Sequence, residues 1–175
     1  MGVAAQLDYR HRPANIAQRW LQAVASTRAG AWTFARVLPP VDRAVDRISK
    51  GRTSVPRLLA GLPVVMMTTT GRKSGQARTT PLIAVPLGAD LAIIGTRFGE
   101  PNTPGWVHNL EADPRAILEH TGHRCEVVAR PATAAEADTA WAVAAEVYPG
   151  YRKYRQRITG RTVRVFVLET SAPSE

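Results

Sequence analysis

The residues best suited to chemistry lie in one short stretch: Thr68-Thr69-Thr70-Gly71-Arg72-Lys73-Ser74-Gly75-Gln76-Ala77-Arg78-Thr79-Thr80-Pro81-Leu82. Arg72, Lys73 and Arg78 offer donors matched to phosphate or carboxylate. Ser74, Thr79 and Thr80 add hydroxyls. Gly71 and Gly75 permit positive φ, so backbone N–H groups are expected to turn towards an anion. The chemistry implied is a grip on an anionic small molecule. A solvated basic turn that discourages edge pairing is the alternative, and it stays open at this point. Lys73 lacks the glycine spacing of a Walker loop, and no helix opens directly afterwards as a dinucleotide fingerprint requires. No Ser/His/Asp or Cys/His array and no pair of buried carboxylates stands out elsewhere, which disfavours hydrolysis.

The elements that must position this stretch are apolar, β-prone runs. They predict strands at Val64 to Thr69, Thr80 to Pro86 and Leu91 to Thr96, as consecutive antiparallel neighbours. Pro81 and Pro86 are placed at strand ends. Gly88-Ala89-Asp90 reads as a hairpin tip. Arg97 to Gly105 is a loop leaving a strand end, and loops on rigid scaffolds commonly carry binding. A short helix is predicted from Gly105 to Glu111. A strand pair, Arg115 to His120 and Arg124 to Arg130, turns at Thr121-Gly122-His123. His120 and His123 have no third ligand near in sequence, so a metal site is discounted. Thr133 and Glu136 form a capping box for a helix from Ala134 to Val147. A second helix follows from Tyr151 to about Ile158, then a last strand from Val163 to Leu168 and a tail from Ser171 to Glu175.

Ahead of this lies a different region. Met1 to Pro13 reads as polar and irregular. Helical runs follow at Ile16 to Arg28, Ala31 to Leu38 and Val41 to Ile48, and Lys50 to Arg57 is a basic linker. Their arginines and apolar faces fit an anionic membrane surface or a cover over an entrance; packing on the core or a partner is the plainer reading. The expected division is an N-terminal helical extension with linker over 1–57, a barrel domain over 58–170 and a tail over 171–175.

At 175 residues one domain is the simplest organisation. The net charge of +9 favours acidic partners. The lone Cys125 excludes an internal disulfide and reads as a buried core thiol. No run of about 18 apolar residues suggests a membrane span, and the N-terminus lacks a leader's apolar core, so a cytoplasmic location, alternatively at the inner face of the membrane, is expected.

Thr70-Gly71-Arg72-Lys73-Ser74-Gly75-Gln76-Ala77-Arg78 followed by Pro81-Leu82 resembles the signature of the deazaflavin (coenzyme F-420)-dependent nitroreductase and quinone reductase family. Further matches follow in order: Pro104-Gly105-Trp106-Val107-His108-Asn109-Leu110-Glu111-Ala112-Asp113-Pro114, then Tyr148-Pro149-Gly150-Tyr151 with Tyr154, then Val163-Arg164-Val165-Phe166-Val167-Leu168. The resemblance covers Arg52 to Thr170. It implies a mainly β (α+β) split β-barrel of the FMN-binding, pyridoxamine-phosphate-oxidase-like type. It implies an oxidoreductase that passes hydride from the reduced deazaflavin to a quinone, nitroaromatic or activated C=C acceptor. Arg72, Lys73, Ser74, Gly75, Gln76, Arg78 and Thr79 would hold the cofactor's phosphate and tail. Thr80, Pro81, Leu82, Ile83, Ile94, Gly95, Thr96 and Arg97 would line its ring, with Gly105 beside it; Trp106 would pack near the chromophore, core packing with Leu110 at i, i+4 being its other reading, and Asn109 would hold the helix or the cofactor by its amide. Tyr148, Tyr151 and Tyr154 are the candidates for the substrate side, as hydrogen-bond or proton donors and stacking faces; packing is their other reading. Thr80, Ile83 and Gly105 depart from commoner family residues, which leaves the acceptor open. A homodimer is compatible with the barrel. The rivals are an FMN- or haem-binding split barrel and a basic nucleic-acid-binding module, the latter disfavoured by scattered cations and no reader motif.

Overall fold

The structure, a computed structural model, describes residues 2–9 and 62–171. The helical runs expected at 16–28, 31–38 and 41–48, the linker at 50–57 and the end of the tail lie outside them. Among the described residues a curled antiparallel sheet dominates, built from β1 (Val64–Thr70), β2 (Ala77–Ile83), β3 (Val85–Leu87), β4 (Asp90–Ile94), β5 (Arg115–His120), β6 (His123–Pro131) and β7 (Val165–Thr170). The helices are α1 (Val3–Gln6), α2 (Gly105–Ala112), α3 (Ala134–Val147) and α4 (Gly150–Arg157).

The strand order is β2-β1-β5-β6-β7-β4-β3. The two edge strands, β2 and β3, are joined in the chain by Ala84 alone. A flat sheet cannot satisfy that link, so the sheet curls into a half-barrel. This corrects the expected single strand over 80–86. The run divides at Ala84: its first half pairs with β1 (Met67↔Thr80, Val64↔Ile83) and its second with β4 (Val85↔Ala92). Pro81 and Pro86 therefore stand inside edge strands, where a missing N–H faces no neighbour.

Alternation sets the inside. Val65, Met67 and Thr69 of β1 point in, as do Ala116 and Leu118 of β5 and Cys125, Val127 and Ala129 of β6. A second cluster gathers Val85, Ala92 and Ile94 under Ala140 and Ala144 of α3 and the three tyrosines around α4. α3 begins with the predicted capping box: the Thr133 hydroxyl accepts from Glu136 N–H, and the Glu136 carboxylate accepts from Thr133 N–H at 2.8 Å. The β5–β6 hairpin turns through Thr121 and Gly122 at φ of 52° and 87°, the left-handed pair of a two-residue connection.

The N-terminus departs from expectation. Val3 and Leu7 are fully buried and Tyr9 is 8% exposed, all within the main barrel core. Ala4 N–H donates to Ala89 O at 3.2 Å, and Tyr9 Oη donates to Ala84 O at 2.6 Å. The Tyr9 ring lies 5.2 Å from that of His120, whose Nδ1 is 2.9 Å from Val64 O. Residues read as polar and irregular thus close one end of the barrel.

Candidate active site

Strand directions define the opposite end. β1, β5, β6, β7 and β4 are each antiparallel to the next, so β1 and β4 run the same way. Their C-terminal ends deliver Gly71 to Gln76 and Gly95 to Glu100 to one rim. The α1 plug, at Ala84 and Ala89, sits at the other.

The basic turn is held by its own backbone. Gly71 N–H donates to Gln76 O at 2.8 Å; Ser74 and Gly75 N–H donate to Gly71 O at 3.1 and 2.7 Å. Gly75 has a φ of 65°. Gly71 does not; it is glycine for space, because a Cβ would stand 2.9 Å from Ser74 Oγ and 3.1 Å from Gln76 O. The Arg72 N–H donates to Asn109 Oδ1 at 3.1 Å. These amides are spent within the protein, which corrects the expectation that they face an anion. The side chains remain: residues 72–79 are exposed, and no carboxylate occurs between Leu62 and Ala89. Arg78 Nη2 reaches Gln76 Oε1 at 3.3 Å, and the Thr68 and Thr79 hydroxyls pair at 2.8 Å. A cationic, acid-free set of donors on a braced turn fits a phosphate-bearing, polycarboxylate cofactor.

Asn109 joins this turn to α2. Its Oδ1 takes the Arg72 N–H and its Nδ2 donates to the Thr69 hydroxyl at 3.0 Å, a side chain only 2% exposed. The same helix meets the second loop: a Cβ on Gly95 would lie 2.9 Å from Val107 Cγ2. One short helix therefore registers both halves of the rim.

The rest of the expected ring site is divided. Thr79 and Thr80 stand near the turn, but β2 carries Pro81, Leu82 and Ile83 away from it until Ile83 lies opposite Val64 at the plugged end. Ile94 and Thr96 are buried at 5% and 6%. Trp106 is 6% exposed and packs edge-on against Phe166, ring centroids 6.1 Å apart, inside the main core. Gly105 has open space where a Cβ would project.

Arg161 was missed by sequence reasoning, having no local signal beyond its charge. Its Nη1 donates to Gly95 O at 3.0 Å and its Nη2 to Thr96 O and Glu100 O at 3.1 and 3.2 Å. Burial and the charge of Arg97 pull its guanidinium below the usual arginine value. A cleft of about 370 Å³ opens beside the turn, reached by Thr70, Gly75 and Ala77 but also by Asp113 and Glu126. Arg115 binds both Asp113 carboxylate oxygens, at 3.0 and 3.1 Å, and these hydrogen bonds hold that carboxyl below its ordinary pKa.

The three tyrosines are brought together, but inward. Tyr148, Tyr151 and Tyr154 are 3–5% exposed, with ring centroids 5.9–6.1 Å apart. The Tyr148 and Tyr154 hydroxyls are 3.3 Å apart. Burial pushes all three phenols above the usual tyrosine value, so they are neutral donors at pH 7 and weak proton sources.

Comparison with known proteins places the chain in a family. Residues 41–170 match the model of the family described as F420H(2)-dependent quinone reductase. Relatives include an F420H(2)-dependent quinone reductase of Mycobacterium tuberculosis strain H37Rv and a putative one of Mycobacterium bovis. Each is 34% identical over 128 residues, covering 71% of this chain and 85% of the relative. Among solved structures, an F420-H2 dependent reductase aligns at a TM-score of 0.56 with 33% identity over 61% of this chain and 94% of its own. A chain described as a domain-swapped dimer aligns at 0.59 with 30% identity over 74% and 96%. The matched span contains the basic turn, Asn109 and the tyrosine cluster, and the chain belongs to the F420H(2)-dependent quinone reductase family.

Proposed function

We infer that this chain is an oxidoreductase that reduces a quinone at the rim where β1 and β4 end, using reduced deazaflavin coenzyme F-420. One observation carries the reading at residue level: an acid-free cationic turn, braced by Asn109, shares a rim with the loop that leaves β4. Arg72, Lys73 and Arg78, with Ser74 and Thr79, would hold the cofactor's phosphate and carboxylate tail by charge-assisted hydrogen bonds. Thr80 and the backbone around Gly95 to Arg97 would flank its ring, and the empty space at Gly105 leaves room beside it. When bound, the reduced cofactor supplies a hydride.

The protein contributes placement, exclusion of water and fixed charge. Asn109 and Arg161 hold the two loops in register. Tyr148, Tyr151 and Tyr154 form a dry, neutral wall behind the second loop and act there by position rather than as acids. Nitroaromatic and activated C=C acceptors share the flat, electron-poor chemistry of a quinone and belong to the same reading. An apolar acceptor, together with the amphipathic runs over 16–48, supports work at a membrane surface, which vesicle co-sedimentation tests. No helix among the described residues is long and apolar enough to cross a membrane.

The deciding experiment is an optical titration with oxidised deazaflavin and with FMN, followed by turnover of the reduced deazaflavin with quinones. Tight deazaflavin binding and quinone-dependent oxidation support the reading. Binding of FMN alone removes it.

A further inference from the structure

Phe98 is the large apolar side chain that stands exposed among the described residues, at 45%. Its backbone is also the least relaxed in the sheet's loops. Arg97, Phe98 and Gly99 take φ values of 47°, 56° and 83° in succession. A left-handed backbone is costly for any residue with a Cβ, and such strain persists only where surrounding structure enforces it.

The enforcement is visible. Arg161 ties down the carbonyls of Gly95, Thr96 and Glu100. Gly99 and Glu100 N–H donate to Thr96 O and Arg97 O, each at 3.0 Å. The Arg97 and Glu100 side chains pair at 2.8 Å. Gly99 lies so close to α4 that a Cβ would stand 3.2 Å from Tyr154 Cδ1 and 3.3 Å from Arg157 Cδ. The result is a phenyl ring held outwards, meeting Tyr154 edge-on at 6.3 Å with an interplanar angle of 85°. The tyrosine faces behind it are already covered by one another and by Trp141.

We propose that Phe98 is the specificity-determining wall of this rim, the surface against which a flat, apolar quinone ring lies. The proposal rests on the quinone-reducing reading and names the residue that selects the acceptor. The loop is continuous with Gly95 and Thr96, which that reading places beside the cofactor. An electron-poor ring gains from offset or edge contact with a phenyl group, and the pinned backbone presents that group already ordered. The tyrosines behind it are only 3–5% exposed.

The test uses the full chain as wild type, Phe98→Ala and Phe98→Gly, each saturated with oxidised deazaflavin. Calorimetric titration with 1,4-naphthoquinone gives the affinity, turnover with reduced cofactor gives KM, and thermal melting reports the fold. Both variants are expected to bind naphthoquinone roughly two- to tenfold more weakly, the size of a lost ring–ring contact, with KM rising in step and cofactor affinity unchanged. Phe98→Gly is expected to melt no lower than wild type, because glycine accepts the positive φ. Unchanged naphthoquinone affinity in both variants overturns the proposal, as does a lower melting temperature for Phe98→Gly with unaltered binding, which marks a packing residue. A wild-type chain that reduces quinones while its Phe98 variants bind them equally well defeats the wall alone; one that binds no naphthoquinone defeats both readings.

Discussion

The two ends of the barrel are built on opposite principles. At one end Val3, Leu7 and Tyr9, from the far N-terminus, fill the opening with apolar volume and a buried Tyr9–Ala84 hydrogen bond. At the other, strands end in exposed cations and a strained loop, braced by Asn109 and Arg161. Among the described residues, the first end is closed by packed side chains. The second spends its polar backbone groups on shape and leaves its side chains exposed. Substitutions should therefore separate stability from affinity according to the end they touch.

The sharpest break is at the plug. Leu7→Ala empties a fully buried site, and such truncations cost about 2–5 kcal/mol. Chemical denaturation should show a loss of that size, while deazaflavin affinity of the folded protein stays within about twofold. A comparable loss of affinity would show that the ends are coupled. The converse change is Lys73→Ala with Arg78→Ala. Folding stability should move by less than about 0.5 kcal/mol, as for exposed sites, and affinity for long-tailed cofactor should fall by about tenfold or more, a hydrogen bond to a charged group being worth about 1.5–3 kcal/mol. The loss should be smaller for tail-free cofactor and should shrink as salt rises; equal loss for both cofactors moves these side chains away from the tail.

Asn109→Ala should fall between the two. It strands the Thr69 hydroxyl and the Arg72 N–H, so stability should drop by about 1 kcal/mol and cofactor affinity should fall with it. A change in one measurement without the other would assign the amide wholly to the fold or wholly to the ligand.

These contrasts follow what was legible along the chain. The β5–β6 hairpin, the Thr133–Glu136 box and α2 were readable because their signals are local: a turn glycine, a cap three residues from its partner, a proline before a helix. The division at Ala84 carried no glycine or proline of its own, and only the closing of the curled sheet demands it. The plug was missed because Val3 and Leu7, one helical turn apart, are too short a pattern to stand out from a polar terminus. The exposed cations of the turn were legible from the sequence. That its amides were already engaged was not, because Asn109 lies 37 residues from Arg72. The tyrosines were read as a group correctly, but which way a helix faces depends on α3 above it.

Alkaline titration sharpens the comparison last and most finely. All four tyrosines, Tyr9, Tyr148, Tyr151 and Tyr154, are held above their usual pKa, chiefly by burial. Raised folded values mean that their contribution is complete below about pH 10, the unfolded tyrosine value, and is lost as pH climbs beyond it. Each phenol that ionises only on unfolding steepens the fall by about 1.4 kcal/mol per pH unit. Phenolate absorbance should therefore appear with unfolding and not ahead of it. Tyr9→Phe should lower stability at neutral pH by about 1 kcal/mol, through the lost bond to Ala84 O, yet make the alkaline decline shallower by one phenol's share. A variant with the wild-type slope would mean that Tyr9 already ionises in the folded chain, and the N-terminal end would then be open to water rather than sealed.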